Sequence, residues 1–589
     1  GLAGLRLNAV GGTLTAPAGL VAGAATNGVE IVGGDAAVSY GGSITGSNVR
    51  AAVVVNRTGG SVTLSGNITD ASGGILAQNN SAGTISFNGA AKTLATGAQT
   101  AVTLSSNSGA TVSFGGGGLD ITTAGATGFS ALGGGTVNVT GANNTIASTS
   151  ATALNVTGTT IGASGLSFRS ISASSDGSGI VLSSTGALNG LQVTGSGVAG
   201  SGGTIQGMSG DGVSLASATN VRLAWMLIQN NLGNGIFGSG VTDVRVENAS
   251  VLHNADNAAT HEAGIRFDNL FGTSAIDNTT VSGSVEDNVR VVNTSGTLAS
   301  LSVSGSTIRD NTAAAPGRYG LLLSAEGASA MTVSVQNSHF IHNRISGVEA
   351  NTVGAGVLDV TVTGGSLRDN GVGVDLIHNS TGALTYNVLN IGTITGQGLI
   401  PINVNRLNTA GAASTFAGTI SGNVIGTVGV TNSGAAAGPG IRVQSGGVGG
   451  TLTTAITNNT IREVTGRGVD LLVRDGSGTL NATVTGNTIA LTSPVSLEGV
   501  RFDAGALTTD AVKACAAISG NTVTTIAGQN GVRLRQRFAG TTFNLAGYGG
   551  SPTNDPAVVA FLISTNTLTT AAADHGGAGF IGVASCPTP

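Results

Sequence analysis

Short alternations of apolar and polar positions, each opened by glycine, recur along this chain. The recurring unit is Gly, an apolar residue, a variable one and usually another apolar one. It appears as GIRF from 264, GLLL from 320, GVEA from 347, GVDL from 373, GIRV from 440, GVDL from 468, GVRF from 499 and GVRL from 531. Most neighbouring copies lie 26 to 32 residues apart. A second alternation follows and ends at an Asn turn, as in VTVTGGSLRDN (360–370), AITNNTI (455–461), TVTGNTI (483–489) and ISGNTV (518–523). A period of two with Gly, Asn and Ser punctuation specifies short strands. One such copy cannot bury its own apolar face, whereas stacked copies share a core. The pattern predicts an all-β fold, a single-stranded right-handed parallel β-helix (β-solenoid) of roughly twenty coils. No stretch shows sustained 3.6-residue periodicity with helix caps, which excludes βαβ units.

The alternation also sets the strand register. In GVDLLVRD (468–475), Val469, Leu471 and Val473 should point inward, and Asp470, Leu472 and Arg474 outward. Extended to every copy, this predicts an outward column of Arg266, Leu322, Glu349, Asp375, Arg442, Asp470, Arg501 and Arg533, with Arg290 from DNVRVV (287–292). Mixed charges stacked on a sheet face discourage register slips and edge pairing; the same column read functionally is a polar binding strip. The turn residues Asn343, Asn370, Asn423, Asn459, Asn487, Asn521 and Asn566 are expected at equivalent turns. Asn tolerates the left-handed conformation there, and its amides can bond from coil to coil as a ladder.

Composition divides the chain into subregions of one solenoid. Residues 1–165 are low in charge; 166–378 carry more charge and five of the six His; 379–540 are the most regular; 541–589 break the pattern with FNLAGYGGSPTNDPAVVAFL (543–562), expected to be an extended loop or a cover over an open end.

With 99 Gly, 9 Pro and 9% charged residues, the chain is neither collagen-like nor highly charged. Lys92 and Lys513 are the only lysines and net charge is -5, so no basic face for nucleic acid is expected. No apolar run approaches the roughly 20 residues of a membrane span. The opening GLAGLRLNAVGG has neither an initiator Met nor a signal peptide, which reads as a mature or excised fragment. Cys515 and Cys586 form either one clasp near the C-terminus or two buried thiols.

Three stretches resemble the large bacterial beta-strand repeat proteins with right-handed parallel β-helix repeats: residues 133–173, 202–239 and 531–550. The resemblance extends over nearly the whole chain. It implies a segment of a long secreted or surface-anchored bacterial protein linked to adhesion or surface structure, and it supplies no catalytic residues.

The best enzymatic candidate is HNADNAATHEAGIRFD (253–268), where His253, Asp256, His261, Glu262, Arg266 and Asp268 crowd together; His339, His342 and Arg344 follow in HFIHNR. Polysaccharide-cleaving β-helices use carboxylates as acid and base or Ca²⁺ with a basic residue. The chain lacks the Asn-Thr-Asp, Gly-His-Gly and Arg-Ile-Lys segments of polygalacturonases and the WxDH and RxPxxR segments of pectate lyases. His261–Glu262 lacks the second His of HExxH. His339 and His342 could ligate a metal only with partners from other coils. GGGGLDITT (115–123) partly resembles a Ca²⁺-binding nonapeptide, with Asp120 as the acid, but it occurs once where tandem copies are needed. Trp225 lies in an apolar run, as a core or groove residue rather than a glycan platform.

These readings predict a non-catalytic extracellular or bacterial cell-surface structural or adhesive β-solenoid with no cofactor. Its expected partners are further copies of itself or host and cell-surface glycans. The alternatives are a polysaccharide lyase or glycoside hydrolase of the pectin-lyase-like type, and a receptor- or ice-binding fibre.

Overall fold

In the computed structural model the described residues are 3–255, 261–311, 318–407, 409 and 414–589. They fall into two compact units, Gly1–Val285 and Glu286–Pro589. The boundary between them lies inside the charge-rich stretch 166–378. Both units are right-handed parallel β-helices, with about 19 turns in all.

In the first unit, a representative coil has three strands, Ile75–Gln78, Gly83–Phe87 and Lys92–Gly97. Each lies parallel to its counterpart in the next coil, with Ile75 opposite Val102, Phe87 opposite Phe114 and Leu94 opposite Ile121. Ile75, Ala77, Ile85, Phe87 and Leu94 are all buried, as an inward period of two requires. Like side chains therefore stack: the Phe87 and Phe114 rings are 4.9 Å apart and stacked, and Phe129, from the first strand of its coil, meets Phe114 edge-on inside the core at 5.5 Å. Lys92 is also buried. Its ammonium donates to the carbonyls of Gly89, Gly115 and Gly117 at 2.5, 2.8 and 2.7 Å, and burial pushes its pKa down to about 8.

The second unit repeats the plan. Val469–Gly476, Thr479–Thr485 and Thr488–Ala490 pair with Val500–Ala504, Lys513–Ser519 and Thr522–Thr524. Val469, Leu471 and Val473 point inward and are fully buried.

The C-terminal irregularity is not simply a loop. Asp555–Thr565 is an α-helix, N-capped by Asn554 and carrying Pro556 in its first turn. Asn-Asp-Pro is a helix-start signal, and Val558 and Leu562, four residues apart, are its buried positions. The helix packs on Lys513–Ser519 and Ala571–His575. Cys515 and Cys586 are joined as a disulfide, with Cα atoms 5.7 Å apart.

The turn asparagines occupy two kinds of turn, contrary to the expectation of one. Asn343 ends, and Asn370 follows, the third strand of their coils (His339–Asn343 and Ser366–Arg368). Asn423, Asn459, Asn487, Asn521 and Asn566 precede it, as Asn487 does Thr488–Ala490. Asn343 donates to Asn370 at 2.9 Å; in the next coil Gln397 stands at this place, but its amide donates to the Leu367 carbonyl and the side-chain ladder stops at Asn370. The second ladder runs Asn423 to Asn459 (2.9 Å), Asn459 to Asn487 (3.0 Å), Asn487 to Asn521 (2.9 Å) and Asn521 to Asn566 (2.8 Å). In the coil of Asn370, Gly365 takes the place before the third strand, with φ +69° and the carbonyl of Ser338 against it. An Asn side chain has no room there.

Candidate functional site

The outward column lies on the first strand of each coil. In the second unit it is continuous and in register: Arg290, Leu322, Glu349, Asp375, Asn403, Arg442, Asp470, Arg501 and Arg533 are successive Cα partners. Arg266 belongs to the first unit, where it pairs with Phe237 and its guanidinium lies 5.3 Å from that ring. Outward does not mean exposed: Leu322, Glu349 and Asp470 are buried, at 5%, 6% and 5%.

One end of the column is acidic. The Glu349 carboxylate accepts a hydrogen bond from the Tyr319 phenol and sits beside Asp375 and Asp287. Burial, then the charge of Asp375, pushes the Glu349 pKa up to about 7, against the hydrogen bonds from Tyr319 and Asn351. Asp287 is fully buried, and burial takes it to about 6 despite Arg290. Burial also raises Asp375, opposed by the Asn403 amide at 2.8 Å and by Arg442. Burial likewise raises the Tyr319 phenol. A carboxyl that is half-protonated near neutrality beside a second carboxyl has the ingredients of an acid–base pair.

The other end is a lattice of ion pairs between coils. Arg501 grips Asp470 through two bonds, 2.7 and 3.0 Å. Arg467 donates to Glu498 at 2.8 Å, and Arg533 lies 3.0 Å from Asp574 and 3.5 Å from Glu498. Arg535 binds Asp503 through Nε at 2.6 Å and again through Nη2. A cavity of about 120 Å³ opens among Leu472, Arg474, Arg501, Asp503 and Arg537. Asp503 and Arg535 stand two residues after Arg501 and Arg533, so the same alternation carried one step further would have found them. Asn403 lacks the preceding Gly, and Asp287 and Tyr319 reach the acidic end from neighbouring positions; no spacing marks them.

The charged stretch of the first unit is gathered only in part, with Arg266 reaching the His261 carbonyl at 3.2 Å. His253 is an exposed turn residue at φ +52°, and His261 is exposed at φ +57°. Glu262 is half-buried, and Arg266 pairs with Asp268 at 2.6 Å. Asp256 lies outside the described residues. In the second unit His342 bridges aspartates of the two flanking coils, Asp310 at 3.3 Å and Asp369 at 3.4 Å, while His339 meets Ser366 at 2.9 Å. Among the described residues, no group of three or more His, Cys, Asp or Glu is arranged to hold a metal ion. Asp120 is taken up by Thr145 of the next coil at 2.6 Å. Trp225 is not a core residue; it is a half-buried turn residue at φ +60°, packed against Gly195.

Stacked parallel coils with inward aliphatic columns form a solenoid, and the family comparison agrees. Residues 189–390 match the family model described as a right handed beta helix region. That stretch is a β-helix by sequence as well as by structure. Neither a curated protein nor a solved structure matches the chain. No helix among the described residues is long and apolar enough to cross a membrane.

Proposed function

We propose that this chain is a non-catalytic structural and adhesive β-solenoid that works outside the cell or on a bacterial cell surface, as a segment of a larger repetitive protein or a filament subunit. One observation carries the reading. The charged residues between Arg442 and Arg533 that a ligand would need are instead bonded to each other across successive coils, with Arg501 on Asp470 as the clearest case. Such pairing stiffens a stack and holds its register. Partners would then meet flat polar faces, and the partners that suit this are cell-surface glycans or other copies of the chain. Glycan-array binding and electron microscopy of the native assembly test the reading. It fails if purified protein neither binds a glycan or surface nor associates, yet turns over a polysaccharide.

A second reading rests on Glu349 and Asp375, which are in-register carboxyls on adjacent coils. Parallel strands lie about 4.8 Å apart, near the separation used by retaining glycosidases. This reading predicts release of reducing ends from an acidic or neutral polysaccharide, abolished by Glu349→Gln. No release from a broad polysaccharide panel would remove it.

A further inference from the structure

The second strand of each coil carries its own scale of coverage. In six successive coils of the second unit, its outward position is held in register by Asp359, Thr385, Ala417, Thr453, Asn481 and Cys515. Asp359 and Thr385 are exposed, as an outward position on a sheet face should be, and Ala417 is half-buried. Thr453, Asn481 and Cys515 are buried, at 8%, 7% and 5%. The same position in the same fold loses its exposure over three coils, so another segment lies on it.

That segment follows the strand Phe580–Val583. Cys586 is bonded to Cys515 and is itself buried. Three residues on, Pro589 forms part of the wall of a cavity of about 320 Å³ that is also lined by Asp359, Thr385 and Ala417. The tail therefore runs lengthwise across the coils, from the Cys515 row toward the Thr385 row. Its sequence, Ala-Ser-Cys-Pro-Thr-Pro from 584, has no charged side chain. Two prolines preset an extended backbone and remove two N–H donors, so the segment can lie across strands without a ladder partner. The row beneath it is uncharged from Thr385 to Cys515.

We propose that this lengthwise groove is a binding site for extended, uncharged, proline-bearing peptide segments, and that the chain's own tail is an intramolecular occupant pinned there by the Cys515–Cys586 bond. A dithiol reductant opens the site. The S–S bond breaks, each sulfur gains an electron and a proton, and the reductant closes to its own disulfide. The tethered segment competes with any free peptide at high effective concentration, so full opening needs the segment released and its prolines replaced.

The test uses the full chain and a fluorescent Ala-Ser-Ser-Pro-Thr-Pro probe, in which serine replaces cysteine to prevent covalent capture. Anisotropy reports probe binding. Cys586→Ser combined with Pro587→Asp and Pro589→Asp, which frees the groove of its occupant, should bind the probe at least ~10-fold more tightly than the oxidised protein. Ala417→Trp, an outward substitution that fills the groove, should abolish that binding in the same background. No probe binding by the freed variant, binding equal to that of the oxidised protein, or binding unaffected by Ala417→Trp would overturn the proposal.

Discussion

Arg501 holds Asp470 of the preceding coil through Nε to Oδ1 at 2.7 Å and Nη2 to Oδ2 at 3.0 Å. Their side chains are only 13% and 8% exposed, so neither charge has water to fall back on. Arg501→Ala should therefore cost up to about 3 kcal/mol, because it leaves the buried Asp470 carboxylate with only the more distant Arg467, at 3.9 Å. Combining Asp470→Leu with Arg501→Met, which removes both charges at once, should be close to neutral. A double-mutant cycle in denaturant checks this; additive losses would show that the pair does not act as a clamp.

The Glu349 carboxyl should make the second unit's stability fall with rising pH. Its pKa is about 7 when folded, against an ordinary value of 4.5. Between those values the folded form holds a proton that the unfolded form has lost. The contribution is thus fully present below about 4.5 and disappears as pH rises through about 7, a change on the order of 3 kcal/mol. His378 works in the opposite direction over part of the range: burial, then Arg406, lowers its pKa to about 4, so its contribution is lost as pH falls from about 6.5 to 4. Comparing wild type with Glu349→Gln cancels the His378 effect. Thermal melts at pH 5 and pH 8 should differ less in the variant, and an unchanged difference would place the titrating group elsewhere.

Asn487 should be a costly rung to remove. Its amide donates to the Ile456 carbonyl at 2.8 Å and to Asn521 at 2.9 Å, and its oxygen accepts from the Asn459 backbone at 2.9 Å and side chain at 3.0 Å. Asn487→Ala leaves several of these buried groups unsatisfied, at about 2–4 kcal/mol. Asn458, one residue before Asn459 and left-handed at φ +56°, offers a control, because Asn458→Gly satisfies the same backbone and should lie within about 0.5 kcal/mol of wild type. Equal losses in the two variants would mean that the ladder bonds contribute little.

Breaking the Cys515–Cys586 link should lower the melting temperature of the second unit. The bond closes a loop with a sequence separation of 71, for which chain entropy gives up to about 4 kcal/mol. Melts with and without a dithiol, and of Cys586→Ser, measure it. Indistinguishable melts would show that the helix Asp555–Thr565 and the strand Phe580–Val583 are secured by packing alone.

Inward and outward positions were readable in the chain because a strand alternates strictly by two. Val469, Leu471 and Val473 are buried, and the variable residue after each glycine falls into one register, from Arg290 to Arg533. The repeat spacing carried the stacking, since each copy has one apolar face and needs a neighbour to cover it. The helix was also written in Asn554, Asp555 and Pro556, although eleven residues with only two buried positions are too few to show a period.

The linear pattern could not fix which atoms meet across coils. Asn370 and Asn487 look alike in sequence, yet they lie on opposite sides of the third strand, because only the stacked backbone reveals that Gly365 has no room for an amide. Burial of Glu349 and Asp470 on an outward face, the pairing of Cys515 with Cys586 and the course of the tail across the coils all depend on what lies over a residue from distant parts of the chain. Periodicity specifies the direction of a side chain; its surroundings, and hence its charge state and chemistry, come only from the packed fold.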